Sequence, residues 1–171
     1  SISSHSPTNE TSNVDQKITL KLDDDGIDPV AWSKLKIAVY MTSHLSEKHL
    51  LFLNRCWPYA SGYLPLLQNS HLILYTSADP PQDALDRMQF KSVTVRRYVD
   101  PPSGSNESGI SGMTVKQIGA KRAMVDPFLK ENRWFDDYDW VIRLNPDVLI
   151  RRDTWIRQTM MNTSVDGIFV D

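Results

Sequence analysis

The chain has 171 residues, 40% of them hydrophobic and 23% charged, a composition typical of a soluble globular protein with one domain-sized core. The formal net charge is −2, without the basic excess that nucleic-acid-binding proteins usually carry, so nucleic acid is not an expected partner. The single cysteine, Cys56, excludes an intrachain disulfide and a cysteine-based zinc cluster, and no apolar run is long enough to span a membrane, so any anchor would lie outside this chain.

The two ends of the chain differ from its centre. Residues 1–16 are mostly small and polar and bury too little surface to offset the entropy of ordering, so we expect a disordered, stem-like segment. Residues 17–35 are predicted to form an irregular lead-in, whose acidic turn Asp23-Asp24-Asp25 does not have the spacing of a calcium-binding loop. Residues 167–171 resemble a buried strand with nothing after it to cover its far side, so we expect the domain to be incomplete at its C-terminus.

Predicted strands and helices alternate over residues 36–171. Short apolar or β-branched runs indicate strands at residues 37–41, 72–75, 92–99, 140–144 and 167–171. The first helix is expected to close or kink at Pro58, the second to end near Met88, and the last to be capped by Asp153. This alternation predicts an α/β domain with an open, mainly parallel sheet and flanking helices, of the Rossmann-like kind.

A further helix is predicted between the third and fourth strands. It follows a flexible surface loop at residues 100–112, runs from about Thr114 to Val125, and is succeeded by a short turn beginning at Asp126-Pro127. At about 100° per residue its apolar side chains share one face with Lys121 and Arg122. Either the stems of these cations pack while their charged heads reach water, or one of the cations faces a ligand.

Polar segments follow three of the predicted strands. In parallel α/β sheets, ligands bind beyond the carboxyl ends of the strands, which here are Thr42–His44, Thr76–Asp79 and Asn145–Asp147. A residue before proline is extended, so the side chains of Asn145 and Asp147 are expected to point the same way. One carboxylate and one amide can hold Mg²⁺ or Mn²⁺ if a diphosphate supplies further oxygens; the alternative is an ordinary Asn-Pro-Asp turn.

Asn145-Pro146-Asp147, directly after the buried run Trp140–Leu144, resembles the Asp-x-Asp motif of GT-A fold glycosyltransferases. The resemblance covers residues 36–171 and includes the helix with Lys116 and Gly119 ahead of the aromatic, acidic segment Trp134–Trp140. It implies transfer of a sugar from a nucleotide diphosphate sugar to an acceptor hydroxyl, with Mn²⁺ or Mg²⁺ held by Asp147 and assisted by Asn145. Asn145 departs from the motif, where an aspartate is usual.

The resemblance also suggests substrate-binding residues. Thr42 and Ser43 would hold the nucleoside, Asp79 would read the base, and Lys121, Arg122 or Arg143 would face the diphosphate. The alternatives are a plain turn at Asp79 and an ion pair of Arg143 with Asp139 or Asp137. No catalytic residue is assigned; Asp166 and Asp171 are candidates for the base only by default. The remaining residues with site potential, His44, His49 and His71, lack the tight spacing of zinc ligands.

The resemblance further implies the Golgi or another secretory lumen, with a possible type II membrane anchor outside the chain. Sequons at Asn9, Asn106 and Asn162 agree with this location. P-loop kinases and dinucleotide enzymes are not indicated, because the sequence lacks their glycine-rich loops. Hydrolases of the α/β class are not indicated either, because the sequence lacks the Gly-x-Ser-x-Gly nucleophile elbow. The rival interpretation is a degenerate or truncated GT-A-like domain that acts as a non-catalytic binding or interaction module.

Overall fold

The computed structural model describes residues 26–98 and 115–167, with side chains from residue 118 onward in the second range. The predictions for residues 1–16, for the acidic turn 23–25, for the loop 100–112 and for the final strand beyond residue 167 therefore lie outside the described residues. Within the described ranges, no helix is long and apolar enough to cross a membrane.

The described strands form one four-stranded parallel sheet, which confirms the predicted α/β class. The strands are β1 (Ile37–Ser43), β2 (Ser70–Thr76), β3 (Ser92–Arg97) and β4 (Trp140–Leu144). Their order in the sheet is β3-β2-β1-β4, with Ile37 of β1 in register with Ser70 of β2 and with Trp140 of β4. Strands β2 and β3 are therefore added in turn on one side of β1, and the chain then returns so that β4 pairs with the other side of β1.

The central strands β1 and β2 are buried on both faces, as their continuous apolar sequences predict. On one face, Val39 and Met41 pack in a cluster with Trp57. On the other face, Tyr40 and Tyr75 pack against an aromatic layer from the segment that precedes β4. Alternate side chains of one strand therefore join two different cores, and the domain has helix, sheet and helix layers.

Seven α-helices cover the sheet within the described residues. They are α1 (Pro29–Lys34), α2 (Glu47–Leu51), α3 (Trp57–Tyr63), α4 (Pro65–Gln68), α5 (Gln82–Asp86), α6 (Val115–Val125) and α7 (Thr154–Met160). A π-helical turn, Phe52–Cys56, joins α2 to α3, and a 3₁₀ turn, Asp126–Phe128, follows α6 as predicted.

The prediction of an irregular lead-in is wrong for α1. The side chain of Asp28 accepts a hydrogen bond from the backbone N–H of Val30 at 2.9 Å, and Pro29 stands at the first helical position. Trp32, only 8% exposed, anchors this short helix against Ile37 and Leu66. Tertiary burial of one tryptophan stabilises a helix too short to persist alone.

The helix after β1 does not close at Pro58, so that part of the prediction is wrong, whereas the alternative of an irregular helix at Pro58 agrees with the π-helical turn directly before it. The chain stays helical to Tyr63, because the π-helical turn directly before Pro58 widens the helix. In this turn the backbone N–H of Trp57 donates to the carbonyl of Phe52, five residues earlier. The wider turn relieves the clash between a proline ring and the carbonyl four residues before it.

The buried face of α6 also differs from the predicted apolar face. Gly119 and Ala123 are buried, whereas Val125 is 44% exposed. The hydroxyl of Tyr40 donates to the backbone carbonyl of Ala123 at 2.8 Å, and Tyr98 lies directly against Gly119. Small residues, rather than the aliphatic ones, let this helix approach an aromatic surface closely.

Candidate functional site

A cavity of about 300 Å³ lies at the carboxyl edge of the sheet, between β1 and β4. The strand order reverses at this point, because β2 and β3 follow β1 on one side while β4 lies on the other. Open α/β sheets bind ligands at such a switch point. The cavity is lined by residues from the ends of β1 and β2, from the segments that follow β1, β3 and β4, and from α2 and α6: Thr42, Ser43, His44, His49, Tyr75, Tyr98, Gly119, Ala120, Ala123, Asn145 and Asp147.

The loop after β1 is fixed by short-range hydrogen bonds. Ser43 Oγ lies 3.1 Å from His49 Nδ1 and accepts a hydrogen bond from the backbone N–H of Leu45 at 3.1 Å. Leu45 has a φ of 51°, a left-handed conformation that is uncommon for a leucine. The ring centroids of His44 and His49 are 4.3 Å apart. His44 is exposed and is one of the residues that line the cavity. The predicted residues Thr42 and Ser43, the last two of β1, therefore lie at the cavity, directly before a locally constrained loop.

Asn145 and Asp147 both line the cavity, and the segment that carries them forms a turn, the alternative that the sequence left open. The backbone N–H of Val148 donates to the carbonyl of Asn145 at 3.0 Å, which closes a turn over residues 145–148. The carbonyl of Pro146 accepts a 2.6 Å hydrogen bond from Trp57 Nε1, and Trp57 is fully buried. A core tryptophan 89 residues earlier in the chain therefore anchors the turn that carries Asn145 and Asp147.

The carboxylate of Asp147 is bound by a lysine. Lys48 Nζ lies 2.7 Å from Asp147 Oδ2, and the two side chains are 65% and 25% exposed, respectively. The hydrogen bond from Lys48 is the main cause that holds the pKa of Asp147 below its usual value. Lys48 belongs to α2, the helix directly after β1, so the pair connects the two strand ends that flank the cavity.

Tyr75 and Tyr98 form the aromatic wall of the cavity. Their ring centroids are 5.0 Å apart at an interplanar angle of 34°. The Tyr75 hydroxyl donates to Asp126 Oδ2; burial first, and then this hydrogen bond, raise the pKa of Tyr75 far above its ordinary value. The wall therefore offers a flat apolar surface, and the hydrogen bond to Asp126 fixes the position of its polar edge.

Gly119 is the position where a larger side chain is expected to damage the cavity. A Cβ at Gly119 would lie 2.6 Å from the Tyr98 hydroxyl, so Gly119→Ala should displace Tyr98 and lower the free energy of unfolding, despite the gain in helix propensity of about 1 kcal/mol. The matched control is Gly62→Ala, whose Cβ meets only the end of the Gln89 side chain at 3.3 Å. Urea unfolding checks both; equal stabilisation of the two variants would contradict the close contact at Gly119.

His49 is expected to make the protein less stable in acid. Burial is the first cause that lowers the pKa of His49, and the charges of His44 and Lys48 add to it while Asp147 opposes it. In the unfolded chain the pKa of His49 is about 6.5, so below this pH the unfolded chain binds the proton more readily than the folded protein does. The contribution of His49 to the free energy of unfolding is therefore complete at neutral pH and is lost as the pH falls.

The measurement is the loss of unfolding free energy between about pH 7.5 and about pH 5.5, compared between the wild type and His49→Gln. The variant should lose less, because it lacks the titrating ring. His71, whose pKa is lowered by burial and by Lys91, titrates in both proteins and so cancels in the comparison. An identical loss in both proteins would contradict the role given to His49.

The other predicted binding residues do not line this cavity. Lys121 is exposed on α6, and Arg122 is half-buried near Tyr75. Asp79 is 79% exposed and forms an ion pair with Arg97 at 2.8 Å, beyond the ends of β2 and β3.

Arg143 lies instead along the outer edge of β4. Arg143 Nη1 contacts the sulfur of Met124, and Asp139, its suggested partner, accepts a hydrogen bond from the backbone N–H of Lys36 at 2.8 Å. Arg143 and Asp166 both line a wider groove of about 1070 Å³ along that edge. Asp171 lies outside the described residues.

Lys48 and Tyr98 were not identified from the sequence as site residues. Tyr98 directly follows β3, and Lys48 lies in the first helix after β1, so both stand where the strand-end rule directs attention. The sequence offers no signal that pairs Lys48 with Asp147, because 99 residues separate them.

The donor atoms at Asp147 do not fit a resident divalent metal in this arrangement. Among the described residues that line the cavity, Asp147 alone has a carboxylate, and this carboxylate is already paired with the Lys48 ammonium. Among the described residues, no group of three or more His, Cys, Asp or Glu side chains could hold a metal ion. A metal at Asp147 would have to compete with Lys48, and its positive charge would repel the ammonium.

Comparison with known proteins gives no family for the chain. It matches no protein-family model, no curated protein and no solved structure at a significant level.

Proposed function

We propose that this domain binds the nucleoside diphosphate part of a nucleotide sugar in the cavity between β1 and β4, as the donor-binding part of a glycosyltransferase. The observation that carries the proposal is the meeting of polar side chains from both strand ends, Thr42 and Ser43 with Asn145 and Asp147, in one cavity at the switch point of the sheet. The resemblance of Asn145-Pro146-Asp147 to the Asp-x-Asp motif favours a sugar nucleotide over other phosphorylated ligands.

The chemistry of the cavity suits the two halves of such a ligand. The amide of Asn145 and the hydroxyls of Thr42 and Ser43 can exchange hydrogen bonds with a ribose or with phosphate oxygens. The rings of Tyr75 and Tyr98 provide a flat surface against which a base or a sugar can pack. Small-molecule sites usually combine a small number of convergent polar groups with an apolar or aromatic wall.

Calorimetric titration with UDP and GDP, each with and without Mn²⁺, tests the proposal. We expect the wild type to bind at least one of the two nucleotides. Ala120 is exposed and lines the cavity, so Ala120→Trp should fill it and weaken binding about tenfold or more. Val125→Trp, at an exposed position of the same helix away from the cavity, is the matched control and should bind as the wild type does. A folded wild type that binds neither nucleotide under either condition would contradict the proposal.

A second candidate is a domain that binds the same ligand without turning it over. It is favoured by the Lys48–Asp147 pair, which neutralises the one carboxylate of the motif, and by Asn145 in place of the usual aspartate. Release of UDP from a panel of UDP-sugars, measured alongside binding, separates the two candidates. Binding with steady release of UDP supports the transferase, and binding without it supports the non-catalytic domain.

A further inference from the structure

Lys48 has the position and the chemistry of a phosphate-binding cation. It follows β1 in α2, whose first turn is capped by Ser46, and pairs with Asp147 on the turn after β4, one of the residues that line the cavity. The ammonium carries three hydrogen-bond donors, of which the 2.7 Å contact to Asp147 uses one. The side chain is 65% exposed, so the other donors are accessible from solvent to a ligand that lies beside Asp147.

Asp147 by itself would oppose a diphosphate. An ionised carboxylate on the cavity wall repels the negative charge of phosphate oxygens unless a cation stands between them. Among the described residues, a second acidic group near the wall is Asp126, which accepts a hydrogen bond from the Tyr75 hydroxyl. Neutralisation of Asp147 is therefore the electrostatic requirement for any phosphorylated ligand here, and Lys48 meets it from within the chain.

We infer that Lys48 takes the place of the divalent metal at this site, so that the cavity binds the diphosphate of its ligand through the Lys48 ammonium without a metal ion. The inference rests on the proposed function of the cavity and specifies its chemistry. Asp147 then acts as the residue that positions the lysine, and Asn145 serves as a hydrogen-bonding partner of the ligand. Charge-assisted hydrogen bonds from an ammonium to phosphate oxygens are about twice as strong as neutral ones.

The test is calorimetric titration of UDP into the full chain, in EDTA and in Mn²⁺. The wild type should bind with the same affinity in both. Lys48→Met keeps the length of the stem but removes the charge, so its affinity in EDTA should fall about tenfold or more. Because this change also frees the Asp147 carboxylate, Mn²⁺ should restore part of the affinity of Lys48→Met and none of it when Asp147→Asn is added.

Two further variants keep the experiment selective. Lys48→Arg retains the charge and should bind within a few-fold of the wild type. Lys34→Met removes one positive charge at the opposite edge of the sheet, before β1, and should leave binding unchanged. Near-UV circular dichroism establishes that each variant is folded.

The experiment distinguishes failure of the role given to Lys48 from failure of the proposed nucleotide site. Wild-type binding that requires Mn²⁺, or undiminished binding of UDP by Lys48→Met in EDTA, overturns the role of Lys48 and leaves the nucleotide site in place. The absence of UDP and GDP binding under every condition contradicts the proposed function itself.

Discussion

Replacing Trp57 with alanine is expected to lower the free energy of unfolding by about 4 kcal/mol, since truncation of a buried tryptophan leaves a cavity that the core cannot refill. Trp57 is fully buried and packs in the cluster that covers one face of β1 and β2, against Phe90 at a centroid distance of 6.5 Å. Urea unfolding measures the loss. A decrease below about 1 kcal/mol would show that the tryptophan is not the centre of this core.

Trp57→Phe separates the packing role from the support of the binding turn. Phenylalanine keeps most of the buried ring but cannot donate the 2.6 Å hydrogen bond to the carbonyl of Pro146. Loss of that bond leaves a buried carbonyl unpaired and should cost about 1–3 kcal/mol. UDP affinity should fall as well, because the turn with Asn145 and Asp147 loses its anchor. Trp155→Phe is the matched control; Trp155 is 59% exposed, and its replacement should change stability by less than about 0.5 kcal/mol.

Asp153→Ala is expected to destabilise the protein by about 3 kcal/mol, because removal of one partner of a buried ion pair leaves the other charge in a poorly solvated site. The side chains of Asp153 and Arg157 are 6% and 11% exposed, and their ion pair is 3.3 Å long. Asp153 Oδ2 also accepts a 2.7 Å hydrogen bond from the backbone N–H of Leu66. One carboxylate thus joins α7 to the start of α4.

Chemical unfolding of a double variant checks the cause of this loss. Adding Arg157→Met to Asp153→Ala removes the buried guanidinium, so the double variant should recover part of the stability lost in the single one. Asp86→Ala, at an exposed position of α5, is the control and should stay within about 0.5 kcal/mol of the wild type. If the double variant is less stable than Asp153→Ala, the buried charge is not the source of the effect.

The same aspartate shows how a correct local signal can conceal a distant partner. Asp153 stands at the N-cap position of α7, as the sequence predicts, but its side chain makes no cap hydrogen bond there. It is directed to Leu66 instead, because the N-terminus of α4 follows Leu64, whose apolar side chain supplies no cap. The sequence around residue 153 contains no information about that need.

The sequence by itself determined the strands, the parallel α/β class and the strand ends that meet at the cavity. These features follow from local patterns: apolar runs mark strands that are buried on both faces, and parallel strands place their carboxyl ends together. Thr42, Ser43, Asn145 and Asp147 could be found in this way.

Only the tertiary structure decided which groups contact one another. The pairing of Lys48 with Asp147, the support of Pro146 by Trp57 and the close approach of Gly119 to Tyr98 join segments that are remote in the chain. Such contacts depend on how the layers pack, and the pattern of apolar residues within any one segment does not specify them. The identity of the cation at Asp147, on which the proposed binding chemistry depends, belongs to this second group.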